Sequence, residues 1–256
     1  MELFLQVDTW IALLTLTFLE IVLGIDNIIF ISISANKLPE DQRKKATLLG
    51  LTIAMITRVL LLLSVSYLIA LKDPFWTIHT SWLTVGFTGQ SIILFLGGLF
   101  LLYKSTKEIH HKMEDAEKQE ETKPKKTSTF SKVIIQIILI DIIFSFDSIL
   151  TAVGMTNGVH GALTIMIIAV IISMIIMMIF ANTISTFVNK NPTIQMLALS
   201  FLILIGFMLI AEGAHLSQLE IFNKSVGIIP KGYLYFAIAF SLGVEVLNMK
   251  IRKKKK

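Results

Sequence analysis

Long apolar runs separated by short polar or charged segments set the pattern of this chain. The runs cover roughly 10–34, 47–71, 81–103, 133–154, 161–183, 194–214 and 232–249. Each is close to the ~20 residues that carry an α-helix across a bilayer core. Turn and charge signals fall between them, at 37–45, at Asp73 and Pro74, over 104–132, over 189–192, and at Ile229 and Pro230. The pattern predicts an all-α polytopic membrane protein with seven transmembrane helices.

Positive residues orient the spans. With the N-terminus outside, the inward segments hold nineteen Lys or Arg, and the outward segments hold Lys72, Lys224 and Lys231. That asymmetry predicts N-out, C-in. The fifth loop is the weak point, because it offers only Lys190. The stretch 104–132 reads as a cytoplasmic connector that starts as a helical extension of the third span and becomes a linker around Pro124. Its His110 and His111 have no spaced ligand set around them and read as exposed loop residues. The basic tail RKKKK reads as a topology signal and an anchor to anionic lipid.

Composition agrees with a membrane setting. Hydrophobic residues make up 54% and charged residues 16% of the 256, against about 25% charged in soluble domains. There is no cysteine, which excludes disulfides, thiolate metal sites and cysteine nucleophiles. No nucleotide-binding or zinc-protease motif occurs, and no organic cofactor is expected. The net charge of +5 sits in loops and the tail, so it points to a lipid surface and not to nucleic acid. The N-terminus MELFLQVDTW lacks a basic n-region and a small-residue cleavage site, so no signal peptide is expected.

Two spans carry a matched motif. LEIVLGIDNI places Glu20, Asp26 and Asn27 in the first span, and LIDIIFSFDSI places Asp141, Asp147 and Ser148 in the fourth. Both read acid, five residues, Asp, small polar residue, Ile. Three spans separate the copies, so the second runs in the opposite direction. This predicts two inverted three-helix repeats meeting at the midplane, plus one extra helix. The domains expected are 1–103 and 133–215 as the repeats, 104–132 as the linker, and 216–256 as the seventh helix with its tail.

Each acid at a span centre costs about 2.5–3.5 kcal/mol on insertion scales, so four of them require compensation. Arg58 is the only base inside a predicted span. It is expected to pair with one acid and leave a negative cavity. Unmatched negative charge is a poor structural pin in lipid, and a cation or proton pathway fits it better. Residues seven apart share a helix face, so Glu20 aligns with Asn27 and Asp141 with Ser148; residues six apart differ by about 120°. Glu20 and Asp26 meet in one pocket only if the helix is distorted, with Gly24 and Ser145 as the places for a break. Otherwise the second acid faces a neighbouring helix. Carboxylate, amide and hydroxyl oxygens suit the hard divalent ions Mg, Ca and Mn. Glu212 with His215, and Glu245 with Asn248, are weaker candidates near span ends. The methionines of MIIMMIF (174–180) read as packing or lipid-facing residues.

At these residues the chain resembles the TerC family of integral membrane proteins. The stretches that carry the likeness are LEIVLGIDNIIF (19–30), YKSTKEIH (103–110), DIIFSFDSI (141–149) and IPKGYLYFAIAFSLGVEVLN (229–248). The resemblance implies a seven-helix fold related to LysE-type exporters, and efflux of manganese. It places the metal-site acids on Glu20, Asp26, Asp141 and Asp147, with Asn27 and Ser148 beside them. The expectation is therefore a non-enzymatic exporter of Mn2+ in a bacterial plasma membrane, coupled to protons, with Mn2+ as transported substrate. Homo-oligomer contacts are compatible with it. Two other readings stay open: an assembly partner of the secretion machinery that docks through 104–132, and a hydrolase using paired intramembrane aspartates, for which no second catalytic motif occurs.

Overall fold

The computed structural model describes residues 7–117, 129–156 and 159–254, without the side chains of 25–26, 115–117 and 252–254. Its helices are α1 (Val7–Ala35), α2 (Glu40–Leu63), α3 (Val65–Ala70), α4 (Gly89–Glu117), α5 (Phe130–Met155), α6 (Ala162–Lys190), α7 (Pro192–Leu216) and α8 (Lys231–Lys254). Prolines mark three of the starts. Pro39 precedes α2, Pro192 opens α7 and Pro230 precedes α8, where a missing N–H costs the helix nothing.

The expectation of seven spans is corrected. Among the described residues six helices are long and apolar enough to cross a membrane: α1, α2, α5, α6, α7 and the Lys231–Ile251 part of α8. The predicted span 81–103 is the one that fails. Its first part forms a strand, and α4 begins only at Gly89. The apolar run in α4 lies between Ser91 and Lys104; at 1.5 Å per residue it spans about 18 Å, short of the ~30 Å hydrocarbon core. With that span go the two three-span repeats with a seventh helix left over, and the parity behind an outside N-terminus and an inside C-terminus.

The chain folds as two interleaved units. The first combines residues 1–70 with 125–189, and the second combines 71–124 with 190–256. In the first unit α2 packs on α5 through Gly50, where an added Cβ would lie 3.0 Å from Ile137 Cγ2. The buried face of α5 includes Ile137, Ile140, Asp141, Ser145, Ser148, Ile149 and Ala152, at helical three- and four-residue steps. Gln136 early in α5 donates to Ser34 Oγ late in α1 at 3.0 Å. Glu20 lies further back in α1 and shares Arg58 with Asp141 further on in α5.

In the second unit α4 and α7 pack closely through glycines. A Cβ on Gly98 would lie 2.5 Å from the Gly206 carbonyl oxygen and 2.7 Å from Ile210 Cγ1. Gly98→Ala is therefore expected to lower stability by about 1–3 kcal/mol, the usual cost of overpacking. The comparison is Gly154→Ala in α5, whose added Cβ meets nothing within 4 Å among the described residues. That change is expected to be neutral or slightly stabilising, since Gly154 lies in the last turn of α5 and alanine loses less backbone freedom on folding than glycine. Thermal melts of the two purified variants in detergent check the contrast.

The second unit also carries an antiparallel sheet in the order β1 (Trp76–His79), β2 (Leu83–Phe87), β3 (Glu220–Ile221) and β4 (Lys224–Ser225). It lies between the starts of α4 and α8 and the end of α7, and Gly86 N–H donates to the Ser217 carbonyl at 2.7 Å.

Candidate functional site

The buried charges of the first unit gather on Arg58. Its Nη1 donates to Glu20 Oε2 at 2.7 Å and its Nη2 to Asp141 Oδ1 at 2.7 Å. Nε adds a longer contact to Asp141 Oδ1 at 3.3 Å. The three residues are 2–4% exposed. Ser145 Oγ donates to the other oxygen, Asp141 Oδ2, at 3.1 Å. The guanidinium fork thus binds Asp141 through two nitrogens and Glu20 through one, a task its planar donors suit. Two carboxylates against one guanidinium leave one formal negative charge when both acids are ionised.

This arrangement differs from the expected pairing of Arg58 with a single acid. The base takes the first acid of each motif, one from α1 and one from α5. Helix geometry explains the choice. Both helices run unbroken through Gly24 and Ser145, so neither position interrupts its helix. Gly24 instead makes room for Met177, whose sulfur occupies the place of a Cβ. Ser145, one turn after Asp141, fixes its carboxylate. In an uninterrupted helix Asp147 is turned about 120° from Asp141. It is half-buried, and its backbone carbonyl accepts from Thr151 Oγ1 at 3.0 Å. The side chain of Asp26 lies outside the described residues.

Other polar atoms line the same face of α1. Thr17, Glu20 and Asn27 are all buried; their spacings of three and seven put them on one side. Thr17 Oγ1 and Asn27 Oδ1 have no hydrogen-bond partner among the described residues. Buried orphan oxygens are uncommon and call for an explanation. Ser148 is also buried, but its hydroxyl donates to the Ser145 carbonyl of its own helix at 3.3 Å. Among the described residues no group of three or more His, Cys, Asp or Glu is placed to hold a metal. The described acids form an ion-paired cluster rather than a ready cage.

The weaker candidates lie in the second unit. Glu212 faces Lys231 at 3.9 Å, and His215 Nδ1 lies 3.2 Å from the Val226 carbonyl; the first ties the end of α7 to the start of α8 and the second ties it to the segment between them. Glu245 is buried and lines a groove of about 380 Å³ with Thr193, Met196, Ser200 and Phe240, while Asn248 is exposed. Toward the C-terminal end of α4, His110 is exposed and sits 3.2 Å from Glu114. The sequence did not single out Glu108, a buried acid 3.9 Å from Lys104. Its signal is the i, i+4 spacing to that lysine within YKSTKEIH.

Known proteins resemble the chain over nearly its whole length. The profile of the "Integral membrane protein TerC family" matches residues 5–256. The UPF0053 inner membrane protein YgdQ of Escherichia coli K12 is 47% identical over 248 residues, 97% of this chain and 95% of that protein. A UPF0053 protein of Haemophilus influenzae is 44% identical over 246 residues, 96% of this chain and 95% of its own. The UPF0053 inner membrane protein YoaE of Escherichia coli K12 is 42% identical over 253 residues, 99% of this chain but 45% of YoaE. No solved structure matches. With six membrane-spanning candidates and such relatives, the chain is a multi-pass protein of the bacterial plasma membrane. Its match from residue 5 to residue 256 makes it a member of the TerC family of integral membrane proteins.

Proposed function

We propose that this protein exports divalent metal ions, with Mn2+ as the principal cargo, in exchange for protons, as in the manganese-exporting branch its motifs resemble. The observation that carries this reading is the buried Glu20–Arg58–Asp141 cluster, drawn from the two matched motifs and holding more carboxylate than base. A cluster built only to pin helices has no use for surplus negative charge in an apolar setting. A divalent cation supplies the two positive charges that Glu20 and Asp141 together require. The unpartnered oxygens of Thr17 and Asn27 on the same helix add neutral hard donors of the kind Mn2+ accepts.

In this reading Arg58 holds the two carboxylates together in the empty carrier and yields them to the arriving ion. The second acids, Asp26 and Asp147, belong to the path by which the ion enters or leaves. Protons that replace the ion on the carboxylates drive release. Cells that express Asp147→Asn or Asp26→Asn are expected to accumulate manganese like cells lacking the protein, with the variant still present in the membrane. Whole-cell manganese content after a manganese challenge measures this. Parental efflux from both variants overturns the assignment of these acids to the path.

A further inference from the structure

The four-stranded sheet of the second unit gathers most of its apolar side chains on one face. Cross-strand partners share a face, and the register pairs Trp76 with Phe87, Ile78 with Val85, and Leu83 with Ile221. These six are apolar. The alternate pairs are Thr77 with Gly86, His79 with Thr84, Thr84 with Glu220, and Glu220 with Ser225. Ile221 in turn pairs with Lys224, so the first face is apolar across β1 and β2 and ends on a lysine at β4, while the other face is polar. The middle of the apolar face is closed, since Val85 is buried, but its rim is open. Trp76 is 62% exposed, Trp82 52% and Phe222 73%. Phe75, Ile221, Ile228 and Ile229 are exposed beside them.

Phe222 adds a detail. It occupies the tip of the two-residue β3–β4 turn, where both Phe222 and Asn223 have positive φ, 51° and 58°. Glycine or asparagine fits such a turn at lower cost than phenylalanine. The aromatic side chain is nevertheless held outward beside Trp82, with ring centroids 6.5 Å apart and Phe222 N–H donating to the Trp82 carbonyl at 2.8 Å.

The place of the sheet selects its partner. α7 ends at Leu216 and α8 begins at Lys231, and both are membrane-spanning candidates. The sheet is tied to that junction by Gly86 N–H to the Ser217 carbonyl and by Val226 N–H to the Leu219 carbonyl, at 2.7 and 2.9 Å. The end of a span sits at the boundary between lipid and water, where tryptophan and other amphipathic rings concentrate. The charges nearby are of both signs, Lys72, Asp73, Glu220, Lys224 and Lys231, so nothing here selects an acidic or a basic protein partner.

We infer that the rim of this sheet is a lipid-binding surface. Trp76, Trp82, Ile221 and Phe222 enter the headgroup layer beside the α7 and α8 ends, and the Thr77–His79–Thr84–Glu220 face stays in water. The inference is independent of what the protein transports. It is tested with the full chain in phosphatidylcholine vesicles, using two single-tryptophan variants: Trp10→Phe with Trp82→Phe, which keeps Trp76, and Trp10→Phe with Trp76→Phe, which keeps Trp82. For both, lipid brominated close to the headgroup is expected to quench emission roughly two-fold more than lipid brominated at the chain end, as fits insertion about 5–10 Å deep. Aqueous iodide is expected to quench less than the shallow bromine. Strong iodide quenching without lipid quenching overturns the proposal, because the rim then lies in water. Quenching by neither overturns it too, because the rim is then covered by protein, such as a second copy. Stronger quenching from the chain end places the sheet inside the hydrocarbon and likewise overturns it.

Discussion

Purified Arg58→Gln protein is expected to lose about 3–5 kcal/mol of stability, the usual cost of removing one partner from a buried ion pair. The size follows from what is left behind. Arg58 is the base on which both Glu20 and Asp141 converge at 2.7 Å, and the side chains are 3–5% exposed. Without it, two carboxylates face one another in an apolar interior with Ser145 as a remaining donor to Asp141. Glutamine supplies one amide donor group and no charge. Arg58→Lys is expected to fall between, because an ammonium keeps the charge but loses the planar fork that serves two carboxylates at once. The triple change Glu20→Gln, Arg58→Gln, Asp141→Asn removes all three charges and is expected to recover much of the loss, since the penalty belongs to the stranded charges and not to the missing contacts. Melting temperatures in one detergent, taken as a cycle over the single and triple variants, read this directly. An Arg58→Gln protein as stable as the parent would remove the ion-paired cluster from any account of this fold.

Much of this protein is legible in the pattern of apolar runs, and the failures have physical causes. Six helices appear where predominantly apolar runs of about 20 residues, the length that spans a bilayer, are bounded by polar or charged residues. The region 81–103 misleads because its apolar residues belong to two structures. Leu83, Val85 and Phe87 alternate as a strand does, and Ile92–Leu102 continue as a helix, with only Thr88–Ser91 between them. A hydropathy window merges the two. β3 and β4 are two residues each, too short to leave any periodicity. In the site, Arg58 is visible as the only base inside a predicted span, and the matched motifs name its partners. The motifs do not say which acid of each pair it takes. Continuity of α1 and α5 decides that, by turning the second acid of α5 away from the first.

The same cluster offers a variant that separates stability from transport. Asp141→Asn leaves Glu20 and Arg58 as a balanced one-to-one pair. The asparagine carbonyl still accepts from Arg58 and Ser145. The cost is expected at about 1.5–3 kcal/mol, the worth of a hydrogen bond to a charged group, below that of Arg58→Gln. The effect on transport is expected to be complete. The surplus negative charge is gone, and under the proposed function a divalent ion that displaces Arg58 would find a single carboxylate in place of two. Cells producing Asp141→Asn should reach the manganese content of cells without the protein, while the variant is found folded in the membrane at near-parental amount. Glu20→Gln is expected to show the same loss of efflux with a smaller stability cost, because Glu20 meets one guanidinium nitrogen and Asp141 meets two. The decisive comparison is efflux per folded molecule. If Asp141→Asn lowers the amount of protein but each remaining molecule clears manganese at the parental rate, the cluster is a structural pin and the transport path lies elsewhere. If the protein stays and efflux vanishes, the two carboxylates on Arg58 are where the cargo ion binds.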